Sequence, residues 1–434
     1  MEDFFDLKTV PQARETLLLA LRKLPSKPLG TEDMDLLSAL GRVLASDIVS
    51  PEDVPPYTRS TVDGYAVSAR DTFGASETLP AILDIVEEIP MGKVPQMAVR
   101  PGKASRISTG GVLPEGADAC VMVEYTELLD DRIVLVQKPV SPGENVIHAG
   151  EDVRRGDVLL EAGRILSPYD LGALAAIGVP WVPVLRRPRV AVVSTGDEIV
   201  PPERRPEPGQ IRDINTYSLS ASLATMGAVP LPIGIAPDTY GALLALVEEG
   251  LARADAVVVS GGSSVGARDN TLKVFSDLGP PGVLVHGVAV RPGKPVILAI
   301  CRDKPVFGLP GHPVSALVAL DLFVRYALDA MTAMSLGLFP AGSTDPKGAR
   351  GFQSQLRAAV VQARLSRSVS SAPGREDHIR VRLVDRGGEL LAEPVLGKSG
   401  LISTMVRSDG EIVVPFESEG FLEGTLVTVR LDRR

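Results

Sequence analysis

From Arg189 to about Ala330 the chain repeats one pattern: an unbroken apolar run, a stretch rich in Gly and Ser, then apolar residues at helical spacing. Val190-Ala191-Val192-Val193, Ala256-Val257-Val258-Val259 and Val296-Ile297-Leu298-Ala299 predict strands. Helices are predicted from Asn215 to Met226-Gly227, from Thr239 to Ala252 and from Pro313 through Leu328. Strands apolar on both faces and separated by helices belong to a largely parallel sheet covered on both sides. Near the start, Leu17, Leu21 and Leu24 predict a helix over Gln12 to Leu24, ended by Pro25. From Pro51 to Pro139 the runs shorten (Ala81 to Leu83, Ala119 to Val123, Ile133 to Val136) and Gly and Pro break them, which predicts small β structure. Ser167-Pro168-Tyr169-Asp170 opens a further helix, serine at the N-cap and proline at the first helical position, and Gly178 stops it. Beyond Pro340, His378 to Leu383 and Glu411 to Val414 predict a compact β domain.

At 434 residues the chain exceeds what one core organises, and two to four domains are expected. No apolar run approaches the roughly 18 residues of a membrane span, and the acidic start Met1 to Asp6 is unlike a leader peptide. Cys120 and Cys301 are too few for a disulfide framework or a thiolate metal cage, so a reducing cytoplasm is expected. A net charge of −9 and an aromatic content of 4% argue against generic binding to nucleic acid or anionic membranes.

In an open parallel sheet, ligands bind beyond the carboxyl ends of the strands. Three unusual segments follow predicted strands there: Ser194-Thr195-Gly196-Asp197-Glu198, Ser260 to Gly266 with Asp269 behind it, and Gly308 to Ser315. Glycine admits close backbone approach, and N–H groups at a helix start attract anions. No Walker A loop or Gly-x-Gly-x-x-Gly fingerprint is present. Arg291-Pro292-Gly293-Lys294-Pro295 offers cations to an oxyanion, although Pro101-Gly102-Lys103 contains the same tripeptide and reads as a plain turn. Glu198, Asp213 and Asp269 supply hard oxygen atoms of the kind Mg²⁺ takes. Asp213 lies just before a helix and equally suits a cap, and Asp63, before Gly64, suits a turn. The four histidines are scattered, with no zinc spacing, and no Gly-x-Ser-x-Gly elbow occurs.

Taken in order, these segments resemble the molybdopterin molybdenumtransferase family, which includes the E domain of gephyrin. The matching stretches are Val62 to Ala66, Ile107 to Gly111 with Gly116 to Ala119, Gly150-Glu151-Asp152, Ser194 to Glu198, Gly261 to Gly266, Pro292 to Pro295, Pro310 to Ser315, Gly374-Arg375 and Ser399. They run in the family's order across nearly the whole chain. His312 stands where the family usually has asparagine, Val62 where it has methionine, and Ser263 at a variable loop position.

The resemblance implies a multidomain α/β protein. Its parts would be a discontinuous N-terminal domain (1–45 with 141–183), a β-rich excursion (46–140), a central α/β/α molybdopterin-binding domain with a parallel-rich sheet (184–330) and a C-terminal β-barrel (331–434). It implies a homodimer in which Asp63 and Thr109 face Glu198, Asp213, Asp269 and Lys294 of the other copy. The implied reaction is Mg²⁺-dependent cleavage of adenylylated molybdopterin, with molybdate inserted at the dithiolene and AMP released. Ser194, Thr195, Gly196, Gly261, Gly262, Ser263, Ser264, Arg291, Pro310, Gly311, His312, Ser315 and Ser399 would bind the ligands, and Glu198 and Asp269 the metal. A molybdopterin adenylyltransferase and apo-molybdoenzymes would be contacts. The competing readings are an adenylyltransferase, disfavoured by the extra domains, and a gephyrin-like scaffold, which would tolerate loss of Glu198, Asp269 and Lys294.

Overall fold

The computed structural model describes residues 7–24, 29–261, 265–338, 359–398 and 400–432. The chain divides into two compact units, one comprising residues 1–32, 41–45 and 183–434, the other 33–40 and 46–182.

The first unit contains a six-stranded sheet in the order Val229–Ala236, Arg189–Thr195, Ala256–Gly261, Lys304–Leu309, Ile297–Cys301, Gly282–His286. The first four strands are parallel. Alternate side chains of each strand leave opposite faces. Val190, Val192, Val258 and Phe307 enter one core, while Ala191, Val193, Val257 and Val306 enter the other. On the second face lie the helices Tyr240–Arg253 and Val265–Asp277. On the first lie Asn215–Thr225, the Pro313 helix and the N-terminal helix Val10–Leu21, which buries Ala13, Leu17 and Leu21. Thr9 caps that N-terminal helix in a reciprocal pair with Gln12, and it ends at Leu21, one turn before Pro25. The Pro313 helix widens at Leu320–Val324 and continues to Ser335, past the expected Leu328.

The expected parallel course fails at one strand. Ile297–Cys301 runs antiparallel to Lys304–Leu309 in a hairpin, turned by Arg302 and Asp303 at φ 48° and 61°. Two successive positive φ values match the right-handed twist of a two-residue hairpin. The run ending at Val290 is divided between two sheets. Gly282–His286 lies in the α/β sheet, and Val290–Arg291 instead pairs in parallel with Glu376–Arg386.

That last strand belongs to a closed five-stranded barrel: Glu376–Arg386, Glu389–Pro394, Val360–Leu365, Leu426–Leu431 and Gly410–Val414, which returns to Glu376–Arg386. Closure leaves no free sheet edge. Val381, Ala392, Ile412, Val414 and Val429 are buried in the barrel.

The second unit holds a half-barrel sheet in the order Ala119–Met122, Gly64–Val67, Lys103–Ile107, Ala81–Ile89, Ile133–Val136, Thr126–Asp130. Its core includes Tyr65, Val67, Leu83 and Val121. The helix Pro168–Ala176 starts at Ser167, whose hydroxyl exchanges hydrogen bonds with Asp170, and stops before Gly178 at φ 72°. Pro101-Gly102-Lys103 is a turn, as expected: Lys103 N–H donates to Arg100 O, and its ammonium pairs with Asp84 at 2.6 Å.

Candidate functional site

At the carboxyl edge of the parallel sheet, the loop after Arg189–Thr195 is fastened by carboxylates. Ser194, fully buried, donates to Asp213 Oδ1 at 3.0 Å, and Thr216 N–H in the first turn of helix Asn215–Thr225 donates to the same oxygen at 3.1 Å. Asp213 therefore serves as a structural anchor of that helix start. Thr195 donates to Asp238 Oδ1 at 2.9 Å, while Asp238 N–H donates to Asp197 and Asp238 O accepts from Asn270. Both hydroxyls thus spend their donors on acids, and what this loop leaves for a ligand is backbone and exposed carboxylate. Glu198 and Asp269 are exposed. A Cβ on Gly196 would stand 2.8 Å from Glu198 Oε2, so the carboxylate folds over a bare backbone segment that a side chain would fill.

The strand Ala256–Gly261 ends beside this loop. A Cβ on Gly261 would lie 1.9 Å from Thr195 O, which explains glycine there. Gly262, Ser263 and Ser264 lie outside the described residues, as does Ser399. Asn215 ties the edge together: its Nδ2 donates to Ser260 Oγ at 2.7 Å and to Gly311 O at 2.8 Å. Asn215 Oδ1 is buried without a partner. His312 holds the N-cap position of the Pro313 helix through its backbone, accepting from Ala316 N–H, with no side-chain cap. That agrees with histidine being a weaker cap than the asparagine it replaces.

The Arg291–Pro295 loop, His312 and Ser315 border a cavity of about 820 Å³ whose opposite wall comes from the barrel. Five arginine and lysine side chains line it: Arg291, Lys294, Arg375, Arg380 and Lys398. Asp377 is the carboxylate among them, its side chain 5% exposed, with Arg375 Nε at 2.8 Å and Arg291 Nη1 at 3.7 Å. An enclosure with this charge takes anions. Next along the strand, His378 is buried with Nε2 2.9 Å from Glu376 and Nδ1 3.2 Å from Glu411. Burial alone would lower its pKa, but the Glu411 charge and the hydrogen bonds to both carboxylates push it up to about 9. The imidazole is therefore a cation at neutral pH.

Among the described residues no group of three or more His, Cys, Asp or Glu side chains is gathered to hold a metal by itself. The exposed carboxylates of Glu198 and Asp269 nevertheless suit a hard cation that arrives with phosphate oxygens, because Mg²⁺ typically takes one or two protein carboxylates. In the second unit, Asp63 Oδ1 accepts the Thr109 N–H at 2.7 Å and its hydroxyl at 3.1 Å. These two predicted residues, both exposed, therefore meet within one unit.

Asp238, Asp377, His378, Arg380 and Lys398 are not among the site residues expected from the sequence. Pro237-Asp238-Thr239 ahead of a helix signals the first. The density of charge over Arg375 to Arg382 in a strand with a buried face signals most of the others.

Comparison with known proteins yields three family models in sequence order. "MoeA N-terminal region (domain I and II)" matches residues 8–178, "Probable molybdopterin binding domain" 191–330, and "MoeA C-terminal region (domain IV)" 362–431. The chain is 35% identical to molybdopterin molybdenumtransferase 2 of Mycobacterium tuberculosis, covering 80% of this chain and 87% of that one. It is 31% identical to the molybdopterin molybdenumtransferase of Bacillus subtilis, covering 93% and 90%. Its fold matches the crystal structure of a molybdopterin biosynthesis MoeA protein from Pyrococcus horikosii with a TM-score of 0.79, at 36% identity over 98% of this chain and 99% of that one. Motif order, architecture and near full-length similarity agree, and the chain belongs to the MoeA family.

Proposed function

We propose that this chain is a molybdopterin molybdenumtransferase that cleaves adenylylated molybdopterin, inserts molybdate at the dithiolene and releases AMP. The observation that carries the reading is the basic cavity beside the sheet edge, in which Arg291 and Lys294 face Arg375, Arg380 and Lys398. A tetrahedral oxyanion suits that enclosure, and the nucleotide conjugate suits the glycine-lined edge next to it. The dithiolene sulfurs belong to the substrate, which accords with both cysteines of the chain being buried. Glu198 and Asp269 would hold Mg²⁺ together with phosphate oxygens of the substrate, and the ion would supply neutralisation of charge at the pyrophosphate linkage. Lys294 would steady an oxyanion, while Asp213 and Asp238 keep the edge loops in place.

A second copy of the chain would bring Asp63 and Thr109 to this cleft, making a cytoplasmic homodimer the working form. The four-part division into 1–45 with 141–183, 46–140, 184–330 and 331–434 is part of the same proposal. An adenylyltransferase would supply the substrate and an apo-molybdoenzyme would receive the product.

The test is purified protein given adenylylated molybdopterin, Mg²⁺ and molybdate. AMP should appear, and the product should reconstitute an apo-molybdoenzyme. Glu198→Ala and Asp269→Ala should each slow AMP release by about a hundredfold, the scale of losing one preorganised charge-stabilising group. Full-rate turnover by both variants would remove the metal assignment, and absence of AMP release by the unaltered protein would remove the function.

A further inference from the structure

We infer that Asp377 is a positioning residue, whose buried carboxylate aims Arg375 and Arg291 at a single tetrahedral oxyanion in the basic cavity. The identity of that anion as molybdate rests on the function proposed above. Arg291 and Asp377 are backbone partners in the parallel pairing of Val290–Arg291 with Glu376–Arg386, so the two side chains start from one register position. The Asp377 side chain is 5% exposed, against 63% for Arg291 and 34% for Arg375. The acid is the fixed member, and the guanidinium groups reach out from it.

Arg375 donates through Nε at 2.8 Å and Nη2 at 3.4 Å, so one edge of its fork is spent on the carboxylate. The remaining N–H groups lie on the other edge, and Arg375 lines the cavity. Arg291 Nη1, at 3.7 Å, is drawn by charge and is outside hydrogen-bond range. Without Asp377 the two like charges would repel, and neither guanidinium would have a fixed direction. Removing a carboxylate also makes the cavity more positive, which by itself would favour anions. In an enclosure open to solvent that gain is screened, whereas the directional grip of an oriented fork is not. The net effect is therefore loss of affinity.

The test is calorimetric titration of the full chain with sodium molybdate, and separately with AMP, whose phosphate is the other tetrahedral anion available. D377N should weaken molybdate binding at least tenfold and shift AMP binding less than threefold. D377E should recover part of the loss. If D377N fails to fold, R375K, which keeps the charge but not the fork, should show the same tenfold loss. Asp255, which accepts two donors from Arg186 and the Arg189 N–H, provides a control. D255N should lower the melting temperature and leave molybdate affinity unchanged. The inference is overturned if D377N binds molybdate as tightly as the unaltered protein, if molybdate and AMP weaken equally, or if the unaltered protein binds no molybdate. Intact molybdate binding with no AMP release would overturn the proposed function and leave Asp377 to be judged by the titrations.

Discussion

Raising the pH should loosen the barrel through His378. Its imidazole, ordinarily near 6.5, is pushed up to about 9 by Glu411 and Glu376 against the opposing effect of burial. A group whose pKa is higher in the folded state stabilises that state fully below its unfolded value, and the contribution disappears as pH rises through the folded value. The window therefore runs from about pH 6.5 to about pH 9. At about 1.4 kcal/mol per pH unit the ceiling is roughly 3 kcal/mol. Glu376 and Glu411 are held below their usual range, despite burial, first by the same imidazolium and then by the charges of Arg14, Arg380 and Arg430, so the part of their shifts owed to His378 restates this energy and does not add to it. His378→Gln removes the cation that the two half-buried carboxylates share. Two measurements decide the matter: an NMR titration of the imidazole carbon-bound protons, and melting of both proteins between pH 6 and pH 10. One imidazole should titrate near pH 9. The melting gap between the two proteins should be widest at low pH and close towards pH 10. Midpoints for all four histidines in the ordinary range, or a gap that does not change with pH, would refute the reasoning.

Gly261→Ala places a Cβ 1.9 Å from Thr195 O at φ +132°, and relief requires the two strand ends to part. A cost of at least about 2 kcal/mol is expected, read as a lower melting temperature together with weakened AMP binding; unchanged melting would show the edge to be pliable. Burial pushes the thiols of Cys120 and Cys301 up to about 11 and about 12. Iodoacetamide at pH 8 should leave both unlabelled in the native chain and label both in guanidinium, and rapid native labelling of either would contradict this burial.

Patterns carried by neighbours in the chain were legible; those made by distant partners were not. The apolar runs at Val190, Ala256 and Ala119 predicted strands because both faces of each are buried, a property a linear pattern records. Ser167 and Gly178 marked their helix because caps act over three or four residues. The hairpin at Ile297–Leu309 was read as another parallel element because its turn uses Arg302 and Asp303, with no glycine or asparagine to announce it. Asp377 and His378 were missed for a different reason: the local density of charge marks the segment, but Arg291 and Glu411, which give these two residues their roles, meet them across long stretches of chain. The Ser194 and Thr195 hydroxyls looked like ligand donors because the sequence does not reveal that Asp213 and Asp238 already claim them.

The discontinuous first unit has a bearing on how the molecule is made. Ala45 N–H donates to Pro183 O and Leu185 N–H to Val43 O, so the polypeptide leaves this unit after Ala45 and re-enters it at Pro183, where the two segments pair. The helix Val10–Leu21 is synthesised about 300 residues ahead of Phe323, with which its buried Leu17 and Leu21 share a core. At ribosomal speeds of about 5–20 residues per second, the helix waits many seconds for that partner. Residues 46–182 emerge complete within that interval, and the helix can dock in its core only after Phe323 has followed them. Mutations that weaken the apolar face of Val10–Leu21 should therefore reduce yield during synthesis more than they reduce the melting temperature of protein already folded.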